Sequence, residues 1–438
     1  LVTRREFLGM LGGGIVGLAV GGALGYTLAP KGPSPEEMAG KLPGVPSEPL
    51  KIGGMWFLTG KFGTYGDMAK KALQLAVDEI NASGGILGRK VEITLKDEAD
   101  RQNVLQNIRK MVEEEKAEFL IGIDSSGDVL KLAPVVENDL HVVTVITHAA
   151  TPKLTACNKL HYVFRISMYE EPIDVAAAKL VAEKFPDVKK VASIGPDYAY
   201  GYDSWAIFST NLKKLLPGVE MAEPMYSKLG TEDFSSYIDK MLAYEPDLVF
   251  SSLWGGDAAT FVKQAVSKGL FDRVKYYLNP MLGATDTLKA IGDGNVPTKA
   301  QVWGSGRYWF LYPPHDVWPL NKTFVSKFKS RYGEYPPYVS ATSYTAVYAL
   351  KAAIERAYVM KGAWPGQDDV VAAMEGLAVA GPMGPVAMRE DHQGVYSVFW
   401  GRLTKGAPNY PHPILTDIQV FDFGEVFPAP GQTAVKCQ

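Results

Sequence analysis

Two short segments place small polar residues where an apolar run gives way to a helical pattern. In EFLIGIDSSGDVLKLA (118 to 133), Ser125 and Ser126 occupy that junction. Their hydroxyls, with the backbone N–H groups that any first helical turn leaves unbonded, form a site suited to a carboxylate. In VVTVITHAATPKLT (142 to 155), Thr151 precedes Pro152, the order expected of an N-cap followed by proline at the first helical position. Ala149 and Ala150 beside it leave room for a ligand to touch backbone. Two helix starts would then converge on one anion, although each residue read singly is an ordinary helix cap. The chemistry is capture rather than turnover. No GxxxxGK[ST], GxSxG, HExxH or calcium-loop pattern occurs, and acidic pairs such as Glu232 and Asp233 read as a solvated helix start, so no enzyme is expected.

The elements that must position these residues are legible from residue 51 onward. Ile52 to Leu58 is an apolar run that opens into a glycine-punctuated loop. Met68, Ala72, Leu75, Ala76 and Ile80 then fall at helical spacing, the Asn81 to Gly85 stretch stops the helix, and Val91 to Leu95 alternates like a strand. This is a βαβ unit, and in an open parallel sheet the loop Thr59 to Gly66 faces a ligand crevice. Further strands are expected at 118 to 123, 142 to 147, 188 to 195, 247 to 253 and 274 to 279, with helical patterns between them. Such alternation predicts an α/β protein with parallel sheets.

The block from Lys51 to Glu98, taken whole, resembles the opening of the type I periplasmic solute-binding proteins, the branched-chain amino acid binding family of ABC importers. GIDSSGDVLKLAPVVEN (122 to 138), THAATPKLT (147 to 155), IGPDYAYGYDSW (194 to 205), PDLVFSSLWGGDAATFVKQA (246 to 265) and GPMGPVAMREDHQG (381 to 394) fall in that family's order at about its spacing. The resemblance covers roughly residues 50 to 400. It implies two lobes, each a parallel-sheet Rossmann-like three-layer sandwich, joined by three hinge crossings. Lobe one is expected at 50–168 and 307–394, lobe two at 169–306 and 395–420, and a carboxyl-terminal tail at 421–438.

The resemblance also implies roles. Ser126, Ala149 and Thr151 match positions that hold an amino acid's main-chain groups, and Tyr65, Tyr200 and Trp254 match positions lining the cleft. Tyr198, Tyr169 and the aromatic run 302 to 318 lie near the expected hinges. The family's amino acid binders place an acid in the loop after the fourth strand of lobe two. Here that loop reads LNPMLGAT (278 to 285), and Met281 stands in the acid's place. An unpaired ammonium in a closed cleft would cost several kcal/mol. Either Glu170 or Asp286 substitutes, or the ligand has no ammonium. The expected partners are thus a small amino acid or related carboxylate and a membrane ABC permease, with the protein a monomer. A membrane-anchored ligand-sensing ectodomain shares the fold; a signalling domain would mark it, and none is recognisable after residue 400.

Composition agrees with a globular chain: 438 residues, 47% hydrophobic and 21% charged, suggest two or three domains, and a net charge of -3 argues against nucleic acid or an anionic surface as partner. TRREFLG (3 to 9), followed by the apolar stretch Met10 to Ala29, looks like a twin-arginine export signal over residues 1–30. An uncleaved anchor at 10–29 is the alternative, and no cysteine is present there for a lipid anchor. Gly12, Gly14 and Gly17 match GxGxxG without a preceding strand. A proline- and glycine-rich tether spans 31–49. In an exported protein the two cysteines, Cys157 and Cys437, are expected to pair. No cofactor is expected, and six scattered histidines with two cysteines predict no metal site.

Overall fold

The computed structural model describes residues 42–437 with the exception of 168, 306–317 and 407–409. The expected export segment, most of the expected tether and most of the aromatic run at 302 to 318 lie outside the described residues. Among those described, no helix is long and apolar enough to cross a membrane.

The first half of the molecule is built on strands β1 (Leu50–Trp56), β2 (Val91–Asp97), β3 (Phe119–Gly122), β4 (Thr144–Ile146) and β5 (Val163–Arg165). They pair in parallel in the order β2-β1-β3-β4-β5. Interior strands of a sheet covered on both faces read as unbroken apolar runs, and every residue of β3 is buried. Helix α1 (Gly63–Ala82) lays the stripe Met68, Ala72, Leu75, Ala76 and Ile80 on the core, as its spacing predicts. Its first turn comes so close to the sheet that a Cβ on Gly66 would stand 2.0 Å from the Phe57 carbonyl oxygen, so a side chain is excluded there. Helix α2 (Ser126–Val135) follows β3.

The second half begins with α3 (Glu170–Lys184) and carries β6 (Lys190–Pro196), α4 (Ala199–Leu215), β7 (Glu220–Met221), β8 (Met225–Ser227), β9 (Leu248–Ser251), α5 (Gly255–Ser267), β10 (Tyr276–Asn279), α6 (Thr285–Ile291) and β11 (Gln301–Gly304). Gly201 in α4 repeats the device of Gly66: a Cβ there would stand 2.0 Å from the Pro196 carbonyl oxygen. The chain then returns to the first half, where α7 (Tyr338–Lys361) packs on α1. It forms β12 (Ala378–Gly381), β13 (Gly384–Met388) and β14 (Gly394–Val395) and crosses back as β15 (Val398–Thr404) and β16 (Ile414–Phe421).

Two lobes with three crossings result, one after β5, one after β11 and one between β14 and β15. The second sheet, ordered β16-β15-β11-β10-β9-β6-β7 with β8 beside β6, is mixed rather than wholly parallel. β15, entering from the first lobe, lies antiparallel to β11; β16 lies antiparallel to β15, because a hairpin can return a strand directly whereas a parallel return needs a crossover. The small antiparallel sheet β12-β13-β14 was not expected either; it joins β5 through a bridge between Arg165 and Gln393.

Beyond β16 the tail runs from the second lobe to the first. Glu425 stands 3.9 Å from Lys179, the Phe427 and Tyr169 rings lie 5.9 Å apart, and Arg389 donates to the Pro428 carbonyl at 2.8 Å. The Ala434 amide donates to Glu171 at 2.8 Å, and a disulfide joins Cys437 to Cys157, with Cα atoms 5.3 Å apart.

Candidate functional site

The loops leaving the carboxyl ends of β3, β4, β6, β9 and β10 line a small pocket of about 10 Å³. Asp124, Ser126, His148 and Ala150 form its wall on the first lobe. Tyr198, Tyr200, Trp254 and Met281 face them from the second. Open α/β sheets bind ligands at this end of the strands.

The first wall rests on a strained turn. Ile123, the residue before Asp124, has φ +68°, a left-handed conformation that a β-branched side chain rarely adopts. Beneath it the buried Glu98 accepts from the amides of Asp124 and Ser125, both at 2.7 Å. Burial, reinforced by the neighbouring Asp124 charge, raises the Glu98 pKa well above its ordinary 4.5, against the pull of those two amides. Folding therefore takes up a proton at Glu98 between these two values. Its contribution to stability is whole below pH 4.5 and is lost as the pH rises through the folded value. Asp286, whose carboxyl burial pushes up to about 6, adds to the same slope. The decline in melting temperature on raising the pH above 4.5 is expected to be shallower in Glu98→Gln than in the native chain, and an unchanged slope would remove Glu98 from this role.

Ser125 is the N-cap of α2, its hydroxyl accepting from the Asp128 amide at 3.3 Å. The Ser126 hydroxyl accepts from the amides of Ala150 (3.2 Å) and Thr151 (3.1 Å). Those two bonds occupy its lone pairs and leave its proton to donate to a ligand in the cavity. Asp124 accepts from the Phe57 amide at 2.9 Å and bonds His148 Nδ1 at 3.1 Å. His148 Nε2 meets the Tyr338 hydroxyl at 2.5 Å, and Met281 Sδ lies 3.9 Å beyond that hydroxyl.

On the second wall, Asn279 at the end of β10 accepts from the Met281 amide and donates to the Leu253 carbonyl, both at 2.8 Å, which holds Met281 against the cavity. Trp254 donates to the Tyr198 hydroxyl at 3.0 Å, and its ring stands 4.2 Å from Phe62, 5.7 Å from His148 and 5.9 Å from Tyr65. The ring contacts cross from one lobe to the other. So do the hydrogen bond from Thr151 to Asp203 (2.6 Å) and the ion pairs Lys153 to Asp203 (3.1 Å) and Lys289 to Glu334 (2.9 Å). The molecule is thus closed, with a small aromatic cavity at its centre. Among the described residues no cluster of His, Cys, Asp and Glu could hold a metal ion.

A sequence model described as periplasmic binding protein matches residues 49–408. The chain belongs to the periplasmic binding protein family. Leu/Ile/Val-binding protein homolog 4 of Brucella abortus is 24% identical over 381 residues, covering 83% of this chain and 86% of the relative. Among solved structures, a solute binding protein of an ABC transporter from Rhodopseudomonas palustris, in complex with 3,4-dihydroxybenzoic acid, superposes with a TM-score of 0.75 at 22% identity, over 88% of this chain and 99% of that one. The leucine binding protein of Thermotoga maritima does so with a TM-score of 0.70 at 22% identity, over 84% and 98%. At this identity the two structures speak for the fold, the two-lobed one described above.

Within this periplasmic binding protein, Ser126, Ala150, Tyr200, Trp254 and Met281 stand on the cavity wall. Tyr65 lies one layer behind, 4.5 Å from the His148 ring. The other expected residues are turned to different work. Ala149 offers its carbonyl to Arg165 (3.3 Å). Thr151 is engaged by Asp203, and its oxygen accepts from the Lys153 amide (3.3 Å) ahead of a helix only four residues long. Glu170 is buried in the first turn of α3, its amide donating to the Ala150 carbonyl at 3.1 Å. Asp286 is enclosed in α6, off the wall. Tyr169 packs in the crossing, with Arg165 over its ring at 4.3 Å. Asp124 and His148 were missed, although each directly precedes a residue that was chosen; their signal was a charge and an imidazole at the ends of buried strands, where only a paired or working group is tolerated.

Proposed function

We propose that the chain is the extracytoplasmic ligand-capturing component of an ABC importer. It takes a small amino acid of branched-chain type, or a related carboxylate, in the cleft and presents the closed form to a membrane permease. The observation that carries this reading is a small cavity between the lobes, with aromatic and thioether groups on one wall and the Ser126 hydroxyl on the other. A site for an apolar small molecule needs flat contact area and a few polar anchors, which is this composition. Ligand bound to both walls stabilises the closed form over the open one by its differential affinity. The export segment at 1–30, the lobe boundaries at 168, 306 and 394, and a monomeric state belong to the same proposal.

A second reading, an aromatic carboxylate lacking the amino group, is favoured by Met281 and by the three aromatic residues Tyr198, Tyr200 and Trp254 on one wall. A thermal-shift screen with branched-chain, polar and aromatic amino acids beside their deaminated acids and amides decides between them, because a ligand of the native state raises the melting temperature by mass action. Failure of every compound to shift it would overturn both readings. Ser126→Ala should weaken carboxylate binding by about tenfold or more, the worth of one hydrogen bond to a charged group. Thr151→Ala should also weaken it, by removing one of the two interlobe bonds to Asp203 and leaving Lys153 as the other. Calorimetric titration of both variants checks this, and unchanged affinity in the pair would show the cleft to be misplaced.

A further inference from the structure

The charged groups on the wall are few and of one sign. Of the eight residues that line the cavity, none is lysine or arginine, Asp124 is a carboxylate, and His148 is the one side chain able to carry positive charge. Two arginines bonded to the elements around the cavity are committed elsewhere: Arg101 pairs with Asp128 at 2.6 Å, and Arg165 is bonded to the carbonyls of Ala149 and Thr151, to Thr155 and to Gln393. Behind Asp124 the buried Glu98 accepts from the Asp124 amide and fixes the turn in place. A lone carboxylate entering this cleft meets the Asp124 carboxylate at close range. A zwitterion does not, provided its cationic end lies toward Asp124.

Asp124 is equipped for that role. It is 4% exposed and held in place by the Phe57 amide on one oxygen and His148 on the other. A carboxylate has about four lone-pair sites, so these two bonds leave acceptor capacity on a group that already faces the cavity. Ser126, whose proton is left to donate, is two residues further along the same turn. Donor and acceptor are therefore set side by side, as the adjoining carboxylate and ammonium of an α-amino acid require.

We infer that Asp124 reads the ligand's ammonium group, so that the site selects zwitterionic amino acids over carboxylates that lack it. The inference rests on the amino acid reading above and deepens it. Met281 then needs no acidic replacement from Glu170 or Asp286, and serves the apolar body of the ligand.

The test is calorimetric titration of the full chain and of Asp124→Asn, Asp124→Ser and Glu170→Gln with leucine and phenylalanine, and with 4-methylpentanoate and 3-phenylpropanoate. The native chain should prefer the amino acids. Both Asp124 variants should lose at least about thirtyfold toward the amino acids and little toward the deaminated acids, while Glu170→Gln keeps the native preference. If Glu170→Gln abolishes the preference and the Asp124 variants keep it, the inference falls and the amino acid reading stands. A native chain that prefers the deaminated acids overturns both. Should the Asp124 variants fail to fold, a crystal of the native chain with leucine decides: an ammonium within about 3.2 Å of an Asp124 oxygen supports the inference, and an ammonium paired elsewhere overturns it.

Discussion

Replacing Cys157 and Cys437 together by serine is expected to lower the stability of the folded chain by up to about 5 kcal/mol, the chain-entropy value for so long a loop. The disulfide closes a separation of 280 residues, which gives the unfolded chain far more freedom when it is removed. Its second consequence is local. The tail leaves β16 in the second lobe, passes Tyr169 and Arg389 at the crossings, is hydrogen-bonded by Glu171, and ends on the first lobe at Cys157. It is a fourth connection between the lobes. Without the covalent end, the remaining contacts are a few exposed or half-buried bonds, each worth about 1 kcal/mol. The tail should then open locally and become a site of proteolytic nicking before the lobes unfold. Denaturant unfolding under oxidising conditions, with limited proteolysis followed by mass spectrometry, measures both effects. An unchanged midpoint together with an uncut tail would show that the disulfide holds nothing the rest of the fold does not.

The parts of this architecture that sequence periodicity carries well are the long amphipathic helices and the buried strands. Met68 to Ile80 in α1 and the runs that became β1, β3, β9 and β10 each bury one stripe or both faces, so spacing alone reports them. β5 and β12 to β14 escaped because they are only two to five residues long, and β12 to β14 also carry glycine, with a proline in β13, which breaks an alternating pattern. The cavity divides in the same way. Family positions led to Ser126, Trp254 and Met281, but they say nothing of direction. Thr151 faces Asp203, 52 residues away, and His148 is held by Tyr338, 190 residues away. A hydrogen bond of that separation leaves no periodic trace, so the Asp124–His148–Tyr338 chain required the folded molecule. Glu98 is the extreme case: in sequence it is one acid near the end of a strand, and in the fold it seats the turn that carries one wall of the cavity.

Trp254→Ala is expected to have the largest effect on ligand affinity, a loss of about a hundredfold, because this side chain belongs to the cavity wall and to lobe closure at once. It is 3% exposed and packs on Phe62 and Tyr65 of the opposite lobe. Truncating a buried tryptophan to alanine typically costs about 3–5 kcal/mol in lost burial and residual cavity. In the open form the ring has no opposite lobe to meet, so part of that loss falls on the closed state alone and shifts the equilibrium toward opening. Trp254→Phe separates the two contributions. It keeps a flat ring against Phe62 but removes the N–H that donates to Tyr198, and should lose no more than about tenfold, the value of one hydrogen bond. Calorimetric titration gives the affinities, and small-angle scattering with and without ligand gives the closure: Trp254→Ala should show a larger radius of gyration at saturating ligand than the native chain. If it matched the native protein in both affinity and compactness, the aromatic contact across the cleft would be packing without a part in capture.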